Sequence, residues 1–95
     1  MRRNARVDAN QKEIVKALRA AGASVQHLHT VGKGCPDLLV GFRWQNFLFE
    51  VKYEEGSLTK AESEWIGEWY GQVEVIDSAE MALEIIGAKR RRSAR

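Results

Sequence analysis

An α/β fold, with a mixed central β-sheet flanked by helices, is what this 95-residue sequence predicts. Two observations carry that reading. Capped segments of helical period alternate with short runs rich in aromatic and β-branched residues, in the order α-β-β-β-α-β-α. A helix also separates the third strand from the fourth, and such a crossover sets the two strands parallel. The turn between the second and third strands instead sets those two antiparallel.

The elements follow in chain order. "DANQKEIVKALRAAG" reads as a helix with Asp8 as N-cap, Gln11 as its capping-box partner and Gly22 as terminator. Its buried stripe would be Ile14, Val15, Leu18 and Ala21. "SVQHLHTV" (24–31) alternates as a first strand, and "GKGCP" is a turn closed by proline. "DLLVGFR" (37–43) is a second strand, "WQN" a short hairpin connection and "FLFEVKY" (47–53) a third strand. After the loop "EEGSL", a helix over 59–71 has Thr59 as N-cap and Glu62 completing the box. Leu58, Ala61, Trp65 and Trp69 would form its core stripe. "QVEVI" (72–76) is a fourth strand, and Asp77 caps a last helix over 78–87.

Composition narrows the function classes. The chain is long enough for a single domain. Its apolar fraction of 44% and charged fraction of 29% are ordinary for a folded soluble chain. No apolar run approaches the roughly 18 residues of a membrane span, and no signal-peptide core follows the basic start. The expectation is a soluble protein of the cell interior, with no membrane partner. A single cysteine, Cys35, forms no internal disulfide and leaves no basis for a structural zinc site.

Charge is unevenly spread. Eight of the 15 basic residues lie in the ends 1–6 and 89–95, leaving seven against all 13 acids between them. The ends are formally +8 and the body −6. Basic flexible ends are an electrostatic signature of nucleic-acid binding, with solubility the plain alternative. Arg90, Arg91 and Arg92 are the candidate contacts there, and Lys33 in the glycine turn could meet a phosphate oxygen.

The third strand holds the chemistry. Side chains alternate faces along a strand, so Phe47, Phe49, Val51 and Tyr53 share one face. Leu48, Glu50 and Lys52 share the other, with Glu50 and Lys52 about 7 Å apart along the strand. An edge strand blunted by charge would explain them, but a third strand between a hairpin partner and a crossover is more naturally central. A carboxylate there needs a partner that offsets its desolvation. The hairpin places Asp37 across from the Glu50–Lys52 region. Two carboxylates converging on one face repel unless a cation lies between them. Hard divalent ions such as Mg²⁺ suit such oxygen ligands, and Mn²⁺ is expected to substitute. Lys52 would then orient water or stabilise negative charge developing on a phosphate.

Pro36–Asp37, followed by Glu50, Val51 and Lys52, resembles the signature of the PD-(D/E)XK nuclease superfamily, a Pro-Asp followed by an acid, any residue and a Lys. "GKGCPDLLVG" with "FLFEVKYEEGSLTKAE" resembles, more narrowly, the VRR-NUC (virus-type replication-repair nuclease) family, over about residues 8 to 76. The resemblance implies one nuclease domain over 1–95 with an αβββαβ(α) restriction-endonuclease-like core. It implies Asp37 and Glu50 as metal ligands, the Val51 carbonyl as a further ligand, and Lys52 as the residue that positions the attacking water. Glu13 matches an acid that many superfamily members contribute from the first helix. The family pattern usually has Gln where this chain has Glu62; the capping box suffices for that residue, which is left out of the site.

The function expected is a Mg²⁺-dependent DNA endonuclease. The resemblance points to branched substrates such as four-way junctions, and to a cytoplasmic setting in a bacterium or a phage-infected host. So small a chain covers little DNA, which favours a homodimer with two sites. Trp44 and any uncovered part of Trp65, Trp69 and Tyr70 are the interface candidates. A non-catalytic DNA-binding or assembly protein on a nuclease-like fold is the alternative, and it leaves the Asp37–Glu50–Lys52 set unexplained. A restriction-type enzyme would need sequence-reading segments that are missing. His27 and His29, on one strand face, and Cys35 are read as locally bonded or packed residues.

Overall fold

The first helix, α1, runs Ala5–Ala20 and buries Ile14, Val15 and Leu18 along one stripe. It starts three residues before Asp8, which lies in its first turn instead of capping it. Nothing in Ala5–Val7 stops a helix, since neither proline nor glycine occurs there. The stripe ends at Leu18, because the chain leaves the helix at Ala21 and turns through Gly22 with φ +98°; Ala21 is exposed. The computed structural model describes residues 5–54 and 56–89.

The strands and remaining helices are β1 (Ser24–His27), β2 (Leu38–Phe42), β3 (Gln45–Val51), α2 (Lys60–Glu68), β4 (Glu74–Ile76) and α3 (Ala79–Ile86). The sheet order is β1-β2-β3-β4, antiparallel except for the parallel β3–β4 pair, as the crossover requires. β3 is therefore an inner strand. The mixed α/β sheet flanked by helices is the fold class expected. Among the described residues no helix is long and apolar enough to cross a membrane.

One sheet face carries the core. Leu38, Val40, Phe49, Val51 and Ile76 pack there with α1 and with Ala82 and Ile86 of α3. The Asn10 amide ties this layer to the strand ends, donating to the Lys52 carbonyl at 3.0 Å and the Asp77 carbonyl at 2.9 Å.

Local chemistry moves several boundaries. The hairpin loop is the two residues Arg43 and Trp44, both at positive φ (52° and 68°), with Phe42 paired to Gln45. That is the backbone twist two-residue hairpins favour, although Asn-Gly normally supplies it. The three-residue connection expected at 44–46 is thus replaced by a tighter turn. Strand β4 begins at Glu74 instead of residue 72. At Gln72 the side-chain amide takes both Leu48 backbone groups, accepting from its N–H at 2.8 Å and donating to its carbonyl at 3.4 Å. Helix α3 is capped by Ser78, whose hydroxyl accepts from the Met81 N–H at 3.1 Å, and not by Asp77.

The largest correction concerns α2. Its capping box forms as expected between Thr59 and Glu62, but no residue of the helix is buried. Trp65 and Trp69 are not core residues: they stack on each other with centroids 4.6 Å apart, and Trp69 stays 45% exposed. The helix lies on the sheet face opposite α1 and α3, where no second layer of described residues encloses it.

What holds α2 at its start is the glycine turn. Gly34 has φ +84°, and a Cβ there would lie 2.2 Å from the Ala61 carbonyl oxygen. Only hydrogen fits. Gly34→Ala is expected to cost about 1–3 kcal/mol through backbone strain alone. The readout is a lower urea midpoint at unchanged m; a wild-type midpoint would mean that turn and helix part freely.

Candidate active site

The site is assembled where the β2–β3 ladder ends. Leu38 pairs with Phe49, so the next step outward sets Asp37 beside Glu50. Instead of continuing the ladder, the Asp37 carboxylate accepts the Val51 N–H through Oδ2 at 2.8 Å. The Asp37 carbonyl continues the other side, accepting from the Leu28 N–H at 2.9 Å. Asp37 is thereby pinned between β1 and β3. Both carboxylates are buried, Glu50 at 2% exposure and Asp37 at 8%.

Lys52 follows on the same strand face. Its Nζ lies 3.4 Å from Glu50 Oε2 and 2.6 Å from Glu62 Oε1. The flexible stem closes the roughly 7 Å strand spacing. Glu62 belongs to the cluster, which corrects its omission from the sequence-based site. Its Oε1 serves twice, since it also accepts the Thr59 N–H at 2.8 Å.

Burial dominates the electrostatics. It pushes the Glu50 carboxyl up to about 9, helped by the charges of Asp37 and Glu62; Lys52 counteracts this only in part. Burial opposes the Lys52 charge too, but bonds to Glu62 and Glu50 raise its pKa above the ordinary 10.5. Glu62 is held below 4.5 by Lys52 and the Thr59 N–H, against its own desolvation. Cys35 is half-buried, and burial together with Glu50 and Asp37 raises its thiol.

The remaining expected residues are dispersed. Glu13 is exposed on α1 and lines a separate depression with Ala9, Asn10 and Tyr53. Among the described residues, no group of three or more His, Cys, Asp and Glu side chains is arranged to hold a metal ion. Val51 is central, its N–H on Asp37 and its side chain in the core. Lys33 is exposed in the turn with φ 56°. Arg90, Arg91 and Arg92 lie outside the described residues. β1 stops at His27, so His27 and His29 do not share a strand face; their rings meet edge-on at 6.3 Å.

No family model matches the sequence, and no curated protein does either. A solved structure described as a VRR-NUC domain does match, with a TM-score of 0.67 and 26% identity over 88% of this chain and 97% of that one. The match supports the resemblance to the VRR-NUC family that the motifs carry. The likeness spans almost the whole of that domain, so the buried pair at the ladder end sits within a VRR-NUC fold.

The raised carboxyl links stability to pH. Below about 4.5 Glu50 is protonated in both folded and unfolded chains, and its contribution to stability is complete. Between 4.5 and about 9 only the folded state keeps the proton, so stability falls as pH rises through that window. The opposite shifts of Glu62 and Lys52 act below 4.5 and above 10.5. In metal-free buffer, Glu50→Gln should flatten urea stability across pH 5–9 and exceed wild type at pH 8. Parallel wild-type and variant curves would contradict the assignment.

Proposed function

We propose that the protein is a Mg²⁺-dependent DNA endonuclease that hydrolyses phosphodiester bonds. The observation that carries this is Asp37 and Glu50, buried side by side at the end of an inner strand with Lys52 on the same face. Without a counter-charge the pair is costly, as the raised Glu50 carboxyl shows. Its all-oxygen donor set fits a hard divalent cation, which commonly binds through one or two carboxylates and retains waters. Asp37 and Glu50 would hold the ion, with the Val51 carbonyl as a further ligand; Glu13 lies in a separate depression. When bound, the ion supplies Lewis-acid stabilisation of negative charge on the phosphate.

The side chains provide the rest. The Val51 N–H donates to Asp37 Oδ2 and so fixes the carboxylate at the end of the inner strand. Lys52, charged and held by Glu62, donates to the attacking water or to a non-bridging phosphate oxygen. As the water oxygen bonds to phosphorus it gives up a proton to solvent, the bond to the leaving deoxyribose oxygen breaks, and that oxygen takes a proton from solvent. A non-catalytic assembly role would not require this desolvated set.

Asp37→Ala and Glu50→Ala are expected to abolish cleavage with the fold retained. Lys52→Ala should keep Mg²⁺ binding, read by calorimetry, and lose turnover by about 10²-fold or more. The assay incubates linear duplex, flap and four-way junction DNA with and without Mg²⁺. Near-native cutting by any of the three variants would refute the site.

The favoured substrate is branched DNA and the functional unit a homodimer. Trp44 and Tyr70 are fully exposed and Trp69 is half so, aromatic surface of the kind interface cores use. Light scattering at micromolar concentration should return about twice the 10.8 kDa chain mass. A monomer that cuts both strands of a junction at full rate would remove the dimer and leave the chemistry standing.

A further inference from the structure

Three of the seven basic residues of the body fall together. Lys12, Lys16 and Arg19 recur at i, i+4 and i+7 on α1, which puts them on one flank of the helix. With Gln11, Val15 and His27 they line a single groove between α1 and β1. No acid lines it, in a body that is formally −6. The acidic Glu13 points to the other flank, toward Tyr53. Lys12 and Lys16 are exposed, and the Arg19 guanidinium is steadied by the Val25 carbonyl at 3.3 Å.

The groove also has a direction. β1 ends at His27, which pairs with Leu38, the residue after Asp37. One end of the groove therefore reaches the sheet end that carries the carboxylates, which project from the opposite face. β1 lies two strand spacings from β3, roughly 10 Å. Lys12 to Arg19 extends the track about 10 Å along the helix.

We propose that this groove binds the phosphodiester backbone of DNA flanking the scissile bond, with Lys12, Lys16 and Arg19 as successive phosphate contacts. The inference rests on the nuclease reading and adds to it a substrate track on the folded body. Charge complementarity selects the occupant: a cationic line on an acidic body attracts a polyanion and tolerates any base sequence. It also explains how a body of net negative charge admits DNA at all. The groove lowers the local potential barrier on one approach to the site.

The test is the salt dependence of binding to duplex and junction DNA, measured by fluorescence anisotropy with the full-length protein in EDTA. Lys12→Gln/Lys16→Gln should flatten the log–log slope by up to about 1.8, from about 0.9 per contact. The charge-reversed Lys12→Glu/Lys16→Glu should bind more weakly still. With Mg²⁺, KM should rise several-fold while kcat at saturating DNA stays at the wild-type value. Both substitutions change exposed side-chain tips, so unfolding midpoints should match wild type. Wild-type slope and KM in both variants, with wild-type protein cutting DNA, would overturn the groove and spare the catalytic reading. A wild-type protein that neither binds nor cuts DNA would overturn both.

Discussion

One hydrogen bond organises the carboxylate-bearing end of the molecule: the Asp37 carboxylate accepting the Val51 N–H at 2.8 Å. It stands where a backbone carbonyl would otherwise extend the β2–β3 ladder. A side chain closing a ladder does two jobs at once. It satisfies a buried donor that would cost about 1–3 kcal/mol if left unpaired. It also brings a carboxylate against the inner strand at the residue next to Glu50. Break that bond and the strand end loses both its last ladder partner and its anion.

The electrostatics follow from that placement. Three carboxyl groups and one ammonium share a desolvated corner, and Lys52 bridges two of the carboxyls. A single lysine cannot neutralise the set. Protonation of Glu50 relieves it in the absence of other cations, and a divalent ion would relieve it while leaving the carboxylates ionised. Proton and metal are thus alternative answers to one excess of negative charge. On the proposed function, metal affinity should therefore be coupled to pH through Glu50.

Much of this was legible in the sequence because it depended on strand arithmetic. Alternation set Glu50 and Lys52 on one face, and a short hairpin set Asp37 across from them. The tighter Arg43–Trp44 loop kept that outcome because Phe42 pairs with Gln45, carrying the register to Asp37 and Glu50. What failed depended on tertiary partners. The Trp65–Trp69 spacing reported a period, and a period does not say whether a second layer covers the stripe. Glu62 fitted a capping box, and the box forms; the same oxygen's second bond to Lys52 depends on where Gly34 lets α2 begin. Lys12, Lys16 and Arg19 form no run in the chain, and only helical spacing gathers them on one flank.

Helix α2 has a further consequence. It buries no residue, yet it supplies the carboxylate that holds Lys52. The α1–α3 layer and the sheet can remain intact while such a helix opens, because little apolar area is lost when it lifts. The molecule thus has two tiers of cooperativity, a rigid tier bearing Asp37 and Glu50 and a looser one bearing the tether of Lys52. Amide exchange would reach the Lys60–Glu68 backbone long before that of β3. During such an opening the carboxylate pair persists while the ammonium is released from Glu62, so the Lys52 contact is lost and regained without the protein unfolding.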